Sequence, residues 1–403
     1  MIERPLYLER LFRWKDKDVI KVITGIRRCG KSKLLECYAE KLIKSGVPEN
    51  AVIQINFEDK KNDKFTADTL NKYLEQKIEE NESNNSYIFL DEIQNVEKWE
   101  TVVASIRLKK NADIYITGSN AYMLSSELAT FLSGRYVEIK MLPLSFSEFL
   151  LFHTFPNDMS VDAKFQLYMK FGGMPSLMEC DFDERLCLDM LDGIYNTVVI
   201  KDVLTHNPNE NTTTAEKISD YLADNIGNIT SINSITNTLF NEKLITSKNN
   251  TFVADYITSF EKAFIFHSIK RYDIKGKDYL RSMEKYYICD TGFRYYKLGK
   301  ITDVGRIIEN IVYFELLRRG YKVGIGKIDN KEVDFVAIKQ DKTVYIQVTE
   351  TLAGENTRER ELSSLQAIKD NFEKIVLTAD RLFSGYTENG IKIVNLIDWL
   401  LNK

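Results

Sequence analysis

The chain has 403 residues, of which 44% are hydrophobic and 28% charged, and its formal net charge at pH 7 is −4. This ordinary composition, with only six prolines, excludes an intrinsically disordered chain, and the length predicts two or three domains. The slightly acidic balance gives no overall signature of a nucleic-acid-binding protein.

Three features of the sequence predict the compartment. No apolar run reaches the roughly 18 residues that cross a membrane, and the first residues, MIERPLYLER, lack the apolar core of a signal peptide. The five cysteines are scattered without a CxxC pair, and three histidines are too few for a zinc framework. We therefore expect a cytoplasmic protein with reduced thiols and no membrane partner.

The first third of the chain alternates predicted strands with predicted helices. The strands are VIKVITG, AVIQINF, YIFLDE, DIYITGSN and RYVEIKM. Helices are predicted from Lys31, where apolar residues recur at 3.6 spacing, and over residues 66–81. Such alternation is typical of an α/β fold with a parallel, doubly wound sheet.

The pattern changes to helices near PLSFSEFLLF, residues 143–152, and a long helix is predicted from about Glu184 to Leu204. The polar segment NPNENTTT, residues 207–214, is a predicted linker. Residues 215–257 indicate three short helices and a hairpin that turns at Asn249–Asn250, which is the size and order of a winged helix. A second α/β pattern starts at Arg306. The predicted segments are therefore 1–150, 151–210, 211–300 and 301–403.

The segment GIRRCGKS fits the pattern G-x-x-x-x-G-K-[ST] between a predicted strand and a predicted helix. Glycines let the chain wrap closely, so that backbone N–H groups converge on phosphate oxygens. Lys31 can reach the β- and γ-phosphates of ATP, and the Ser32 hydroxyl can bind Mg²⁺. The alternative is a tight strand–helix turn that needs glycine for its backbone angles. The predicted nucleotide-binding residues of the loop are Gly25, Ile26, Arg27, Arg28, Cys29, Gly30, Lys31 and Ser32.

Two acids end the buried strand YIFLDE at the edge of the sheet where ligands bind in such folds. Asp91 is predicted to hold Mg²⁺ together with Ser32, and Glu92 to act as the general base toward water. The alternative is a pair of solvated carboxylates at a strand end.

Two further catalytic candidates follow. In TGSN, Ser119 or Asn120 can lie between water and the γ-phosphate, or can cap the helix that starts at Ala121. In LSGR, Arg135 can stabilise transition-state charge across a subunit boundary, or can form a surface salt bridge.

The motifs GIRRCGKS, YIFLDEIQ, ITGSNA, LSGR and PLSFSEF, in this order and spacing, resemble a family of bacterial and archaeal AAA+ ATPases. RYDIKGKDYL, KYYICDTGFR and RIIENIVYFELLRRGY extend the resemblance over nearly the whole chain. It implies an ATPase core, a helical lid, a winged-helix module and a C-terminal domain resembling restriction endonucleases. It also implies a relation to regulatory NTPases of the signal-transducing class, and it carries over the roles given above.

Nucleases of the PD-(D/E)xK class hold Mg²⁺ with an Asp and a Glu or Gln on adjacent strands, and a Lys two residues on activates water. Here the Asp is Asp334, the third ligand is Gln347, and Glu309 is the helical acid. Strand periodicity places Thr349 where the Lys belongs. Arg358 or Arg360 on the next helix can substitute for it. We expect a nuclease-like scaffold with damaged chemistry.

Residues 262–300 contain ten basic and four acidic side chains. The stretch interleaves basic residues with tyrosines, which is typical of phosphate binding and base stacking. The alternative is a solvated strand-and-loop face with core tyrosines. The members are Arg271, Lys275, Lys277, Arg281, Lys285, Tyr272, Tyr279, Tyr286 and Tyr287.

The sequence thus favours a Mg²⁺-dependent AAA+ ATPase, forming a homo-oligomer with ATP, whose C-terminal half binds duplex DNA or a partner protein. An ATP-gated nuclease and a non-hydrolysing ATP switch are the alternatives.

Overall fold

The computed structural model describes residues 2–81, 85–109, 111–124, 134–205, 207, 211–276, 278–383, 385–387 and 389–402. The side chains of residues 278–282 and 386 lie outside this description. The chain forms two compact units. The first contains Met1–Met141 with Lys262–Phe264, and the second contains Leu142–Glu261 with Ile265–Lys403.

The first unit is built on a parallel five-stranded sheet of order β2-β3-β4-β1-β5. This confirms the predicted α/β class. Its elements are α1 (Pro5–Trp14), β1 (Ile20–Thr24), α2 (Lys31–Lys44), β2 (Val52–Asn56), α3 (Ala67–Glu80), β3 (Ser86–Asp91), α4 (Trp99–Arg107), β4 (Ala112–Gly118) and β5 (Tyr136–Lys140).

The core of the first unit lies around the central strands. Every residue of β1 and of β3 is buried, which explains why these strands appear in the sequence as nearly continuous apolar runs. One of them is Lys21, whose side chain is fully buried and forms an ion pair with Asp113 on β4. Asp113 also accepts hydrogen bonds from the Asp16 N–H and the Tyr115 hydroxyl. These protein donors replace the water that the buried carboxylate has lost.

The second unit begins with helices. They are α5 (Phe146–Phe152), α6 (Val161–Phe171), α7 (Glu184–Val198), α8 (Thr212–Asp224), α9 (Ile232–Asn241) and α10 (Asn250–Lys262). A π-helical segment, Val199–Leu204, continues α7, so the predicted long helix is present.

The hairpin predicted at Asn249–Asn250 is wrong, because Asn250 begins α10. The Asn249 side chain accepts the backbone N–H of Phe252, which is how a residue caps a helix N-terminus. Asparagine is favoured both in turns and at helix caps, so the residue type did not separate the two structures. Val253, Tyr256 and Phe260 are buried and recur at helical spacing. This spacing is the feature of the sequence that favours a helix here.

The rest of the second unit carries a mixed eight-stranded sheet of order β12-β13-β11-β10-β9-β8-β6-β7. The remaining elements are β6 (Phe266–Asp273), β7 (Asp278–Ile288), α11 (Thr291–Leu298), α12 (Val304–Arg318), β8 (Lys322–Ile328), β9 (Lys331–Lys339), β10 (Lys342–Thr349), α13 (Glu355–Gln366), β11 (Glu373–Thr378), β12 (Gly385–Tyr386), β13 (Lys392–Asn395) and α14 (Leu396–Leu400). The sheet crosses the boundary predicted at residue 300, because β6 pairs with β8.

Two segments with the sequences FGGMP, residues 171–175, and CDTGFR, residues 289–294, meet within the second unit. The Asp290 carboxylate accepts the backbone N–H groups of Gly173, at 2.7 Å, and of Gly292, at 2.9 Å. Burial raises the pKa of Asp290 to about 7, although these two hydrogen bonds act in the opposite direction. The carboxylate therefore ties the loop after α6 to the start of α11.

Among the described residues, no helix combines the length and the hydropathy that a membrane span requires.

Candidate functional site

The segment between β1 and α2 forms a tight loop that depends on glycine. Gly25 has φ of 153° and Gly30 has φ of 102°, values that favour glycine over other residues. A Cβ atom on Gly25 would lie 2.2 Å from the Met141 carbonyl oxygen. Gly30 is also the residue that precedes the first turn of α2. The loop therefore directs the first backbone N–H groups of α2 toward one point, as an anion site requires.

Lys31 lies inside this loop and is almost fully buried. Its Nζ donates hydrogen bonds to the carbonyl oxygens of Gly25, at 2.9 Å, and Ile26, at 3.3 Å. The same Nζ lies 3.6 Å from Glu92 Oε1. A cation is thus held at the centre of the loop, beside the end of β3.

Asp91 and Ser32 form the oxygen pair expected of a Mg²⁺ site. The Thr117 hydroxyl donates to Asp91 Oδ1 at 2.5 Å, and Ser32 also hydrogen-bonds this carboxyl group. Burial raises the pKa of Asp91, while the hydrogen bonds from Thr117 and Ser32 lower it. Both Ser32 and Asp91 line a cleft of about 500 Å³. Carboxylate and hydroxyl oxygens suit Mg²⁺, so these residues fit the ion.

Glu92 has a strained backbone, with φ of 52°, and such strain is often found at functional sites. Its N–H donates to the Thr117 hydroxyl oxygen at 2.9 Å, so Thr117 contacts both acids. The Gln94 amide donates to Glu92 Oε2, and Gln94 Oε1 is buried without a hydrogen-bond partner among the described residues. The roles of Thr117 and Gln94 were not predicted, although both lie within the motifs TGSN and YIFLDEIQ.

Ser119 and Asn120 follow β4 directly, and both are buried. Because β4 lies between β3 and β1 in a parallel sheet, Ser119 and Asn120 lie at the same edge as Asp91 and as the loop Gly25–Ser32, which we call the phosphate loop. The Asn120 side chain accepts the Met123 N–H at 3.4 Å, in the 3₁₀ turn Ala121–Leu124. Asn120 thus makes the predicted capping contact at the edge where the catalytic role would place it.

Arg135 does not lie at this edge of the sheet. Its carbonyl oxygen accepts the N–H of Ile20 at the start of β1, so Arg135 lies at the amino edge of the sheet. The phosphate loop lies at the carboxyl edge, and a strand of five residues separates the two edges by about 17 Å. The side chain is exposed. Within one chain, the structure does not bring Arg135 to the other candidates.

The second unit brings Asp334 and Gln347 together as predicted. The Asp334 N–H donates to Gln347 Oε1 at 3.3 Å, and the Val348 N–H donates to Asp334 Oδ2 at 2.8 Å. Gln347 Nε2 donates to Glu361 Oε2 at 2.7 Å. Thr349 instead donates to the Thr351 carbonyl oxygen at 3.1 Å, so its hydroxyl is directed to the chain that follows β10.

Glu309 approaches these residues from α12, and a cation lies beside it. Lys285 Nζ on β7 is 2.8 Å from Glu309 Oε1 and 2.8 Å from Glu332 Oε1. The Tyr287 hydroxyl donates to the same Glu309 oxygen at 2.6 Å. The structure thus places an ammonium beside Glu309 that the motif did not predict, although the motif position itself is Thr349. The motif predicts a basic residue on β10 or α13, whereas Lys285 lies on β7. We call Lys285, Glu309, Asp334, Gln347 and Glu361 the carboxylate cluster.

Arg360, one of the two predicted substitutes for the missing lysine, pairs with Glu361 Oε1 at 2.7 Å and is largely exposed. Arg358 instead lies over the ring of Phe383. Arg360 thus neutralises an acid at the margin of the cluster rather than at Asp334.

The basic and aromatic stretch at 262–300 is only partly a surface feature. Lys285, Tyr286 and Tyr287 are buried, which excludes base stacking by these two rings. Lys275 is exposed and pairs with Asp329. Lys277 and the side chains of Tyr279 and Arg281 lie outside the described residues. For the buried members, the alternative of core tyrosines is the one that the structure favours.

Comparison with known proteins agrees with this geometry. Residues 17–150 match a family described as an AAA domain, and residues 162–303 match a domain of unknown function, DUF8612. The Walker-type ATPase PABY2304 of Pyrococcus abyssi superposes with a TM-score of 0.50 at 14% identity, covering 74% of this chain and 96% of that chain. This likeness concerns the fold. The fold and the matched domain define an AAA-type P-loop ATPase domain.

Two relatives match over most of the chain. An uncharacterized protein of Haemophilus influenzae is 41% identical over 404 residues, covering 100% of this chain and 99% of the relative. The uncharacterized protein MJ1544 of Methanocaldococcus jannaschii is 33% identical over 406 residues, covering 95% of this chain and 88% of the relative. The chain belongs to the same family as these two proteins.

Proposed function

We propose that the chain is a Mg²⁺-dependent ATPase that binds ATP at the loop Gly25–Ser32. The observation that supports this most strongly is the convergence of Lys31, Ser32, Asp91 and Glu92 at one edge of a parallel sheet. A structural turn would need the glycines, but it would not need a buried ammonium beside two buried acids.

The first task of these residues is to bind the triphosphate. The backbone N–H groups at the start of α2 and the Lys31 ammonium would contact phosphate oxygens. Ser32 and Asp91 would hold the Mg²⁺ ion, which supplies positive charge next to the phosphate oxygens when it is bound. The loop glycines permit the close approach, because a side chain at Gly25 would collide with the Met141 carbonyl.

The second task is to activate water. Glu92 is the candidate general base, because its carboxylate lies next to Lys31 and therefore next to the expected phosphate position. Thr117 and Gln94 hold Glu92 from its backbone and from its side chain. These two residues would position the base rather than touch the substrate.

Arg135 would act between copies of the chain, and the C-terminal half would bind a partner. Since Arg135 lies at the opposite edge of the sheet, it can reach a nucleotide only in a neighbouring copy, which requires a homo-oligomer. The nucleotide state would then reposition the C-terminal half, whose partner would be duplex DNA or a protein. The exposed Arg135 side chain, which makes no ion pair with the described residues, supports a role toward a neighbouring copy.

Turnover and binding measured on the same variants test the proposal. Glu92→Gln should bind ATP with the affinity of the natural chain, while phosphate release falls by about 10²–10⁴-fold because the base is lost. Glu97→Gln, at an exposed position nearby, is the matched control and should retain turnover. Assays with DNA, with RNA and with cell extract would reveal a stimulating partner.

Two results would contradict the proposal. Undiminished turnover by Glu92→Gln would remove Glu92 from its assigned role. ATP binding without turnover in the natural chain under all these conditions would instead favour the non-hydrolysing switch.

A further inference from the structure

The carboxylate cluster has the residue types that a nuclease-like scaffold uses to hold a divalent cation, but their contacts do not fit one. Glu309 Oε1 accepts from both the Lys285 ammonium and the Tyr287 hydroxyl. Asp334 Oδ2 accepts a backbone N–H, and the Gln347 carbonyl accepts another. Across the part of the chain that the structure describes, no group of three His, Cys, Asp or Glu side chains is arranged to hold a metal ion.

We propose that the Lys285 ammonium occupies the place of the divalent cation, so that the cluster is a metal-independent structural core rather than a nuclease centre. The ammonium lies 2.8 Å from carboxylate oxygens of both Glu309 and Glu332. Its side chain is only 4% exposed, so the ammonium is shielded from solvent beside these acids.

The ion pairs in and around the cluster agree with this assignment. Lys285 faces Glu309 and Glu332, and Arg360 faces Glu361. Burial, reinforced by the charge of Glu309, raises the pKa of Asp334 well above its ordinary value. Each of these three glutamates thus already has a side-chain cation of the chain as its partner.

The neighbourhood of Lys285 also explains why a metal would be excluded. An ion bound to Glu309 would be within a few ångströms of a fixed positive charge in a region of low dielectric constant. Removing that charge should create the opposite situation, in which the buried Glu309 and the partly exposed Glu332 lose their shared cation. A divalent ion should then bind and stabilise the fold.

The test is Mn²⁺ binding, followed by the paramagnetic signal of the free ion, on the full chain. All proteins carry Asp91→Asn, which silences the proposed nucleotide-linked metal site. The reference should bind no Mn²⁺ more tightly than about 1 mM. Adding Lys285→Met should create a site at least about tenfold tighter and make the melting temperature rise with Mn²⁺. Adding Glu309→Gln as well should abolish that site.

The matched controls change the same charge elsewhere or keep it in place. Lys275→Met removes an exposed lysine from the turn between β6 and β7 and should leave the reference without a Mn²⁺ site. Lys285→Arg retains the positive charge and should also bind no Mn²⁺.

Two outcomes would overturn the inference. The first is a Mn²⁺ site in the reference that Asp334→Asn abolishes, which would show that the cluster binds metal with Lys285 in place. The second is a folded Lys285→Met protein that acquires no site. If Lys285→Met does not fold, the Mn²⁺ titration of the reference decides the question alone.

Discussion

Replacing Lys31 with Met should weaken ATP binding, because it removes the buried ammonium that lies within the phosphate loop. The Nζ atom makes hydrogen bonds of 2.9 and 3.3 Å to loop carbonyls and lies 3.6 Å from Glu92. On ATP binding, these contacts would be exchanged for phosphate oxygens. A hydrogen bond to a charged group contributes about 1.5–3 kcal/mol, so affinity should fall by about 10- to 150-fold.

The substitution has a separate effect on stability. Methionine fills the volume of the lysine stem but leaves two carbonyls without their donor and the Glu92 carboxylate without its neighbouring cation. A buried polar group that loses its partner costs about 1–3 kcal/mol. The melting temperature should therefore drop as well, and binding must be measured at a temperature where both proteins are folded.

Calorimetric titration with a non-hydrolysable ATP analogue and Mg²⁺ measures the affinity directly. Lys33→Met is the matched control, because Lys33 is two residues away, has a side chain that is 69% exposed and forms an ion pair with Glu36. It should bind the analogue as the natural chain does. Affinities of Lys31→Met and the natural chain within about twofold of each other would refute the assignment of the loop.

Three other predictions concern assembly and stability. Mixing Arg135→Ala with Lys31→Ala should restore turnover that neither has alone, because each supplies what the other lacks; mixtures as inactive as their components would exclude action between copies. Lys21→Met should lower the free energy of unfolding, from urea titration, by about 3–5 kcal/mol, since it leaves Asp113 buried without its cation. Adding Asp113→Asn should recover part of this loss, and a further loss would contradict the pairing. The carboxyl group of Asp290 has a folded pKa of about 7 against 3.8 ordinarily, so its contribution to stability is full below pH 4 and is lost as the pH rises through 7. The stability advantage of the natural chain over Asp290→Asn should therefore be larger at pH 5 than at pH 8 by about 2.7 kcal/mol, which is about 1.36 kcal/mol for each of the two pH units between 5 and 7, and equal differences at both values would refute it.

The sequence by itself determined the features that depend on neighbouring residues. The phosphate loop is contiguous, and its glycines, its lysine and its flanking strand and helix can all be recognised in one segment. Asp91 and Glu92 were predictable for the same reason, because a buried parallel strand delivers its last residues to a known edge of the sheet. The five strands of the first unit were predictable from their apolar runs.

The tertiary structure decided the features that depend on which strands pair. Lys285 is 24 residues before Glu309, and only the packing of β7 and α12 brings its ammonium to the carboxylate. No periodicity within β10 or α13 could indicate that a lysine from β7 lies beside Glu309. Likewise, Arg135 and the phosphate loop flank neighbouring strands, yet parallel pairing places them at opposite edges of the sheet. Local sequence sets the elements, whereas the register and order of strands set which side chains meet.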